Sequence, residues 1–141
     1  MATKRFVTRS SVAPSSSLAP AVQVSDLGAR LSAGDAAVRA LLGSAFAGTD
    51  APVAPTSGTV VEIPAGVVID DPIVLNLDGT NPAAGYTLVH VGAGSLATII
   101  ERRTAAGTSG QAAVCEVIAD EGARLIYAVV DTVEDGKLLV R

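Results

Sequence analysis

Three stretches decide the reading of this 141-residue chain: "TVVEIPAGVVI" (residues 59–69), "TLVHVGAGSLA" (87–97) and "CEVIADEGARL" (115–125). Each holds a short apolar run, a tight elbow with glycine and a second run. Gly66, Gly94 and Gly122 lie 28 residues apart. Similarity at a fixed period is the mark of a repeating architecture. Further turn signals, "LDGTNPAAG", "TAAGTSG" and "VEDGK", fall about midway between the elbows, so each repeat holds two strands. A two-strand repeat that advances in one direction predicts a mainly β fold, a short right-handed parallel β-helix or solenoid. Each repeat would place its strands about 4.8 Å from those of the repeat before.

The period also predicts columns of side chains. With Val61 and Ile63 inward, the next positions are Val89 and Val91, then Val117 and Ala119, all apolar. Thr59, Thr87 and Cys115 form another inward column, and Glu62 and His90 face out, one over the other. After the elbows the parity is less regular. "DDPIVLNL" favours Ile73, Leu75 and Leu77 on one face, whereas "TIIERR" and "LIYAVVD" do not align with it.

Upstream, the composition changes. Residues 1–24 hold Lys4, Arg5 and Arg9, no acid and many Ser, Ala and Pro, which reads as a disordered tail, although an organelle transit peptide shares that composition. Residues 25–46 read as two short helices capping the first repeat. Ser25 or Asp26 is the first N-cap, Gly34 is the break, Asp35 is the second N-cap, and Gly43 is the stop. Residues 47–58 are a Pro, Gly and Thr linker, and 59–141 form the β-helical core.

Bulk composition narrows the function classes. Hydrophobic residues make up 49% of the chain but aromatics only 3%, so the core must be built from Val, Ile, Leu and Ala. A formal net charge of −4 disfavours a nucleic-acid partner, which calls for a clustered basic face. No apolar run approaches the ~20 residues that span a bilayer, so no membrane association is expected. One cysteine cannot form an internal disulfide, and a cytoplasmic location is the default, with a plastid or other organelle as the alternative.

"GTVVEIPAGVVIDDPIVL", "YTLVHVGAGSLATIIERR" and "AAVCEVIADEGARLIYAVV", in that order and spacing, resemble the start of the β-helical core of the SufB/SufD family, scaffold proteins of iron–sulfur cluster assembly. The resemblance covers Ala45 to about Asp131. It implies a scaffold role exercised through protein–protein contacts with SufB-like and SufC-like partners. Members are much longer, so the chain reads as a short or truncated member. The family's Cys and His linked to cluster formation lie on later coils, so none maps onto this sequence.

Asp70 and Asp71 could serve as an acid/base or metal pair, but neighbours on a strand face opposite ways, and Pro72 marks a corner. Cys115 could ligate iron, yet its column makes it a small core residue. His90 over Glu62 reads as an exposed ion pair, and one Cys with one His in different columns makes no metal site. A metal-binding cupin would need a second His near His90. The spaced glycines lack the Gly-Lys-Ser/Thr of a phosphate loop. Glu101, Arg102 and Arg103 read as a solvated strand end. The expectation is therefore no enzyme, no catalytic or metal residue, no cofactor and no assignable cofactor-binding residue.

Two other functions compete with the scaffold. One is a self-assembling structural β-solenoid, a homo-oligomer joined through an uncovered last coil near Leu125–Val130. The other is a small-molecule-binding jelly roll, in which Gly66, Gly94 and Gly122 would not stack.

Overall fold

The computed structural model describes residues 5–8, 22–46, 55–78, 85–105 and 114–133. Among these residues, eight strands and two helices follow in the order β1 (Arg5–Thr8), β2 (Gln23–Asp26), α1 (Leu27–Ser32), α2 (Ala36–Leu41), β3 (Thr59–Ile63), β4 (Ile73–Asp78), β5 (Tyr86–Val91), β6 (Leu96–Ala105), β7 (Val114–Ala119) and β8 (Arg124–Val133). They build two four-stranded sheets, β1-β4-β6-β8 and β2-β3-β5-β7. Every strand pair is parallel except β2 with β3. That pairing excludes the antiparallel jelly roll.

The 28-residue period is the actual register of the second sheet. Thr59 pairs with Thr87 and Thr87 with Cys115; Val61, Val89 and Val117 form one column, and Ile63, Val91 and Ala119 another. Between the sheets lies a core of Val61, Ile63, Val89 and Val91 packed on Ile73, Leu75, Ala97 and Ile99. These side chains are compact and β-branched or aliphatic, and they suit pleated, closely spaced strands. At the elbows Gly66, Gly94 and Gly122 have φ of +73°, +69° and +72°. That left-handed conformation costs glycine nothing and other residues about 1–2 kcal/mol. Backbone bonds join successive elbows, Gly66 N–H to Ala93 O at 2.9 Å and Gly94 N–H to Glu121 O at 3.0 Å.

The first sheet carries a jog. Val68 bridges Leu96, an offset of 96 − 68 = 28, but Ile73 pairs with Ile99, an offset of 99 − 73 = 26. Two extra residues therefore sit between Val68 and Ile73, in the corner that holds Asp70, Asp71 and Pro72. From β6 to β8 the offset returns to 28, as in Ile99 with Tyr127. This change of offset is why the strands after the elbows do not share one repeat in the sequence.

The helices form largely as the sequence predicts. Asp26 Oδ1 accepts from Ala29 N–H at 2.8 Å and Asp35 Oδ1 from Val38 N–H at 3.0 Å, so each aspartate satisfies a free amide at a helix start. Gly34 and Gly43 end the helices with φ of +76° and +79°. Their position differs from the expectation. They do not cap the end of the repeats but lie against the outer face of the second sheet, where Leu27 and Val38 are buried with Val60, Tyr86 and Leu88. That face offers an apolar stripe at Val60 and Leu88 which only an apolar helix face can cover.

The outer edges of β3 and β4 are covered instead by the N-terminal strands β2 and β1. This corrects the reading of residues 1–24 as disordered at the positions described, 5–8 and 22–24: Arg5–Thr8 pairs in parallel with β4, and Gln23 and Val24 open β2. Strand edges left without a partner favour such additions. Residues 1–4 and 9–21 of that tail lie outside the described residues, as do 47–54 of the linker and 79–84, 106–113 and 134–141 of the core. Among the described residues no helix is long and apolar enough to cross a membrane.

Candidate functional site

The residues singled out in the sequence do not converge. Asp70 is exposed and Asp71 half-buried in the jogged corner, while Cys115 is a free, half-buried thiol on the inner column of β7. His90 faces outward next to Glu62 in the register, but the two do not pair as predicted. Glu62 instead accepts from Arg30 Nη1 at 2.8 Å, and His90 Nε2 lies 3.1 Å from Asp120 Oδ2. Arg30 also reaches Asp35 at 2.6 Å and Ser25 at 3.0 Å, pinning α1 to α2 and to β3. The Glu62 carboxylate, ahead of Asp35, raises the Arg30 pKa, and the Val38 amide and then Arg30 hold that of Asp35 down. Among the described residues no three His, Cys, Asp or Glu side chains gather as a metal site would require.

Two buried carboxylates do gather partners. Glu101, read as part of a solvated strand end, is 0% exposed. It continues the inward run Ala97, Ile99, Glu101 and Arg103 of β6, so it enters the core opposite the expectation. The Arg103 guanidinium and the Tyr127 hydroxyl both donate to it, one to each carboxylate oxygen. Cys115 joins this group from β7. Burial, before any neighbour, pushes the Cys115 thiol up, and burial followed by the Cys115 and Glu101 contacts does the same to the Tyr127 phenol. A thiol raised in this way is a poor nucleophile. The carboxylate is paired with the Arg103 guanidinium, and each of its oxygens accepts one hydrogen bond within the fold.

The second carboxylate, Glu116, is 1% exposed on the outer face of β7. Its Oε2 accepts from Gly43 N–H at 2.9 Å and from the Tyr86 hydroxyl at 2.5 Å, and its Oε1 from Ala45 N–H at 3.0 Å. Burial first, then Glu116, pushes the Tyr86 phenol up. Both sites were legible in principle. Glu101 follows Ala97 and Ile99 at strand parity, and Glu116 stands 28 residues after Leu88, in a column whose other members are apolar. A charged residue in an apolar column signals a buried partner network.

The arrangement provides two polar networks that tie neighbouring strands, and the helical segment, to one another. At the third repeat the cover thins. β7 and β8 are the last strands of their sheets among the described residues, and Ile126, Val129 and Val130 are 63%, 43% and 47% exposed. In comparisons with family models, with curated proteins and with solved structures, none matches the chain.

Proposed function

We propose that the chain is a non-enzymatic scaffold built on a short right-handed parallel β-solenoid, acting through protein–protein contacts in iron–sulfur cluster assembly as the SufB/SufD resemblance implies. The observation that carries this reading is the parallel, 28-residue register of β3, β5 and β7, whose elbows stack glycine over glycine. That geometry is what the resembling segments require. The partners are SufB-like and SufC-like proteins, and the compartment is the cytoplasm or a plastid.

A second reading, a solenoid that assembles with copies of itself, is favoured by the strands of the third repeat, whose outer edges have no partner strand among the described residues. β8 is 10 residues long and in register throughout, with an apolar middle. Long, regular edges of this kind template further strand pairing. Sedimentation velocity of the chain alone, then mixed with SufB-type and SufC-type proteins from the same source, separates the two. A defined hetero-complex is expected. Concentration-dependent self-association without any hetero-complex would replace the scaffold reading with the second.

A further inference from the structure

The helical segment is fastened to the sheet at two distant places. At its start, Leu27 N–H donates to Gly58 O at 2.9 Å and Arg30 reaches Glu62, so α1 holds to the first repeat. At its end, the turn after α2 presents two backbone amides, Gly43 and Ala45, to Glu116 of the third repeat, 73 and 71 residues away in sequence. Leu41 and Leu42 pack in the same cluster as Val114 and Ile118 of β7. Between these anchors the segment crosses β3, β5 and β7.

The second anchor has a definite chemistry. Three donors, two amides and the Tyr86 hydroxyl of β5, point at one side chain, and the two amides can only donate. Only a group that accepts at both oxygens satisfies them. Among the described residues no salt bridge to Glu116 forms. Arg39 of α2 bonds Leu31 O, His90 pairs with Asp120 on the same face, and Cys115, the neighbour in sequence, points inward.

We propose that α2 and the turn behind it, residues 36–46, form a strap that Glu116 clips onto the third repeat, so that the helical segment closes only when β7 is in place. Closure of the strap thereby couples the outermost described strand to the first one. The proposal is independent of the partner the protein serves.

Native-state amide exchange, followed at increasing sub-denaturing urea, tests it in the unaltered chain. The Gly43 and Ala45 amides are expected to share one opening, with one urea dependence, with the amides of β7. Exchange that instead follows α1 and ignores β7 would overturn the strap. Glu116→Gln is the matching variant, because its amide nitrogen brings a donor to a site already filled with donors. Relative to Val61→Ala, a core variant used as a control for general loss of stability, Glu116→Gln is expected to speed exchange at Gly43, Ala45 and β7 at least ten-fold. Equal acceleration in both variants would refute the clip. Should Glu116→Gln not fold, the urea series on the unaltered chain decides.

Discussion

The stacking of elbows makes a quantitative prediction at two neighbouring glycines. Gly94 has a φ of +69° but open space around it, with nothing within 4 Å of an added Cβ. Gly94→Ala therefore adds only the left-handed penalty of about 1–2 kcal/mol, partly offset by about 0.4–1 kcal/mol of lost chain entropy in the unfolded state. The net cost is about 1 kcal/mol. Gly92 is the reverse case. Its φ is ordinary, but an added Cβ would lie 2.4 Å from Ala65 N, 2.7 Å from Pro64 C and 2.8 Å from Ala65 Cα.

All three atoms belong to the backbone of the preceding elbow, so no flexible side chain can yield. Relief requires the second repeat to lift away from the first, against the 2.7 Å bond from Gly92 N–H to Ile63 O. Overpacking costs about 1–3 kcal/mol and the weakened bond about 1 kcal/mol, so Gly92→Ala should cost about 3 kcal/mol or more. Urea unfolding at neutral pH, read from the midpoint at unchanged slope, measures both variants. Equal costs, within about 0.5 kcal/mol, would refute the reasoning, because the overlap at Gly92 exists only if one elbow lies directly on the other.

Two further outcomes follow from the buried polar groups. The pKa values of Tyr127 and Tyr86 are raised in the fold, so their neutral forms are favoured there. The stability they contribute is complete below the unfolded phenol value near 10 and is lost as pH rises above it. Urea midpoints should fall between pH 9 and pH 11, and Tyr127→Phe should flatten that fall; an unchanged slope in the variant would exclude Tyr127 as its source. Cys115, half-buried and with its thiol pushed up by burial, should react with an aromatic disulfide reagent at pH 8 at least ten-fold more slowly than the unfolded chain, as thiol absorbance assays measure. A folded-state rate equal to the unfolded one would place the thiol at the surface.

Much of the second sheet was legible before any coordinates. The columns through Val61 and Ile63 follow from counting 28 residues, because the partner strands there carry no insertion. The two helices were equally plain, since Asp35 after Gly34 is both a stop and a start. What composition hid was placement. Residues 1–24 look like a tail because Ser, Ala and Pro dominate, yet four residues of it suffice to pair with β4, where the bonding partners come from a strand whose edge is otherwise open. The helices looked like an end cap because they precede the repeats. Their apolar stripe matches the outer positions Val60 and Leu88, and the burial of those positions, rather than chain order, determines where the helices rest.

The first sheet resisted counting for a reason that also explains the period. The corner at residues 69–72 is two residues longer than its counterpart after Gly94, yet the next strand of the second sheet returns to an offset of 28, as Val89 with Val117 shows. The path from β4 to β5 must then be two residues shorter than the path from β6 to β7. Asp78 pairs with Thr104, and Thr87 with Cys115, which gives 87 − 78 = 9 residues in one case and 115 − 104 = 11 in the other. One corner absorbs what the other adds. The conserved quantity is the whole turn of chain, fixed where the glycine elbows stack and bond. The face between corners is free to slip by two residues without exchanging inside for outside, because strand side chains alternate with a period of two. That even slip keeps Ile73 over Ile99 in the core, and it places Glu101, an inward residue at the same parity, under Leu75, where only a partnered carboxylate is tolerated.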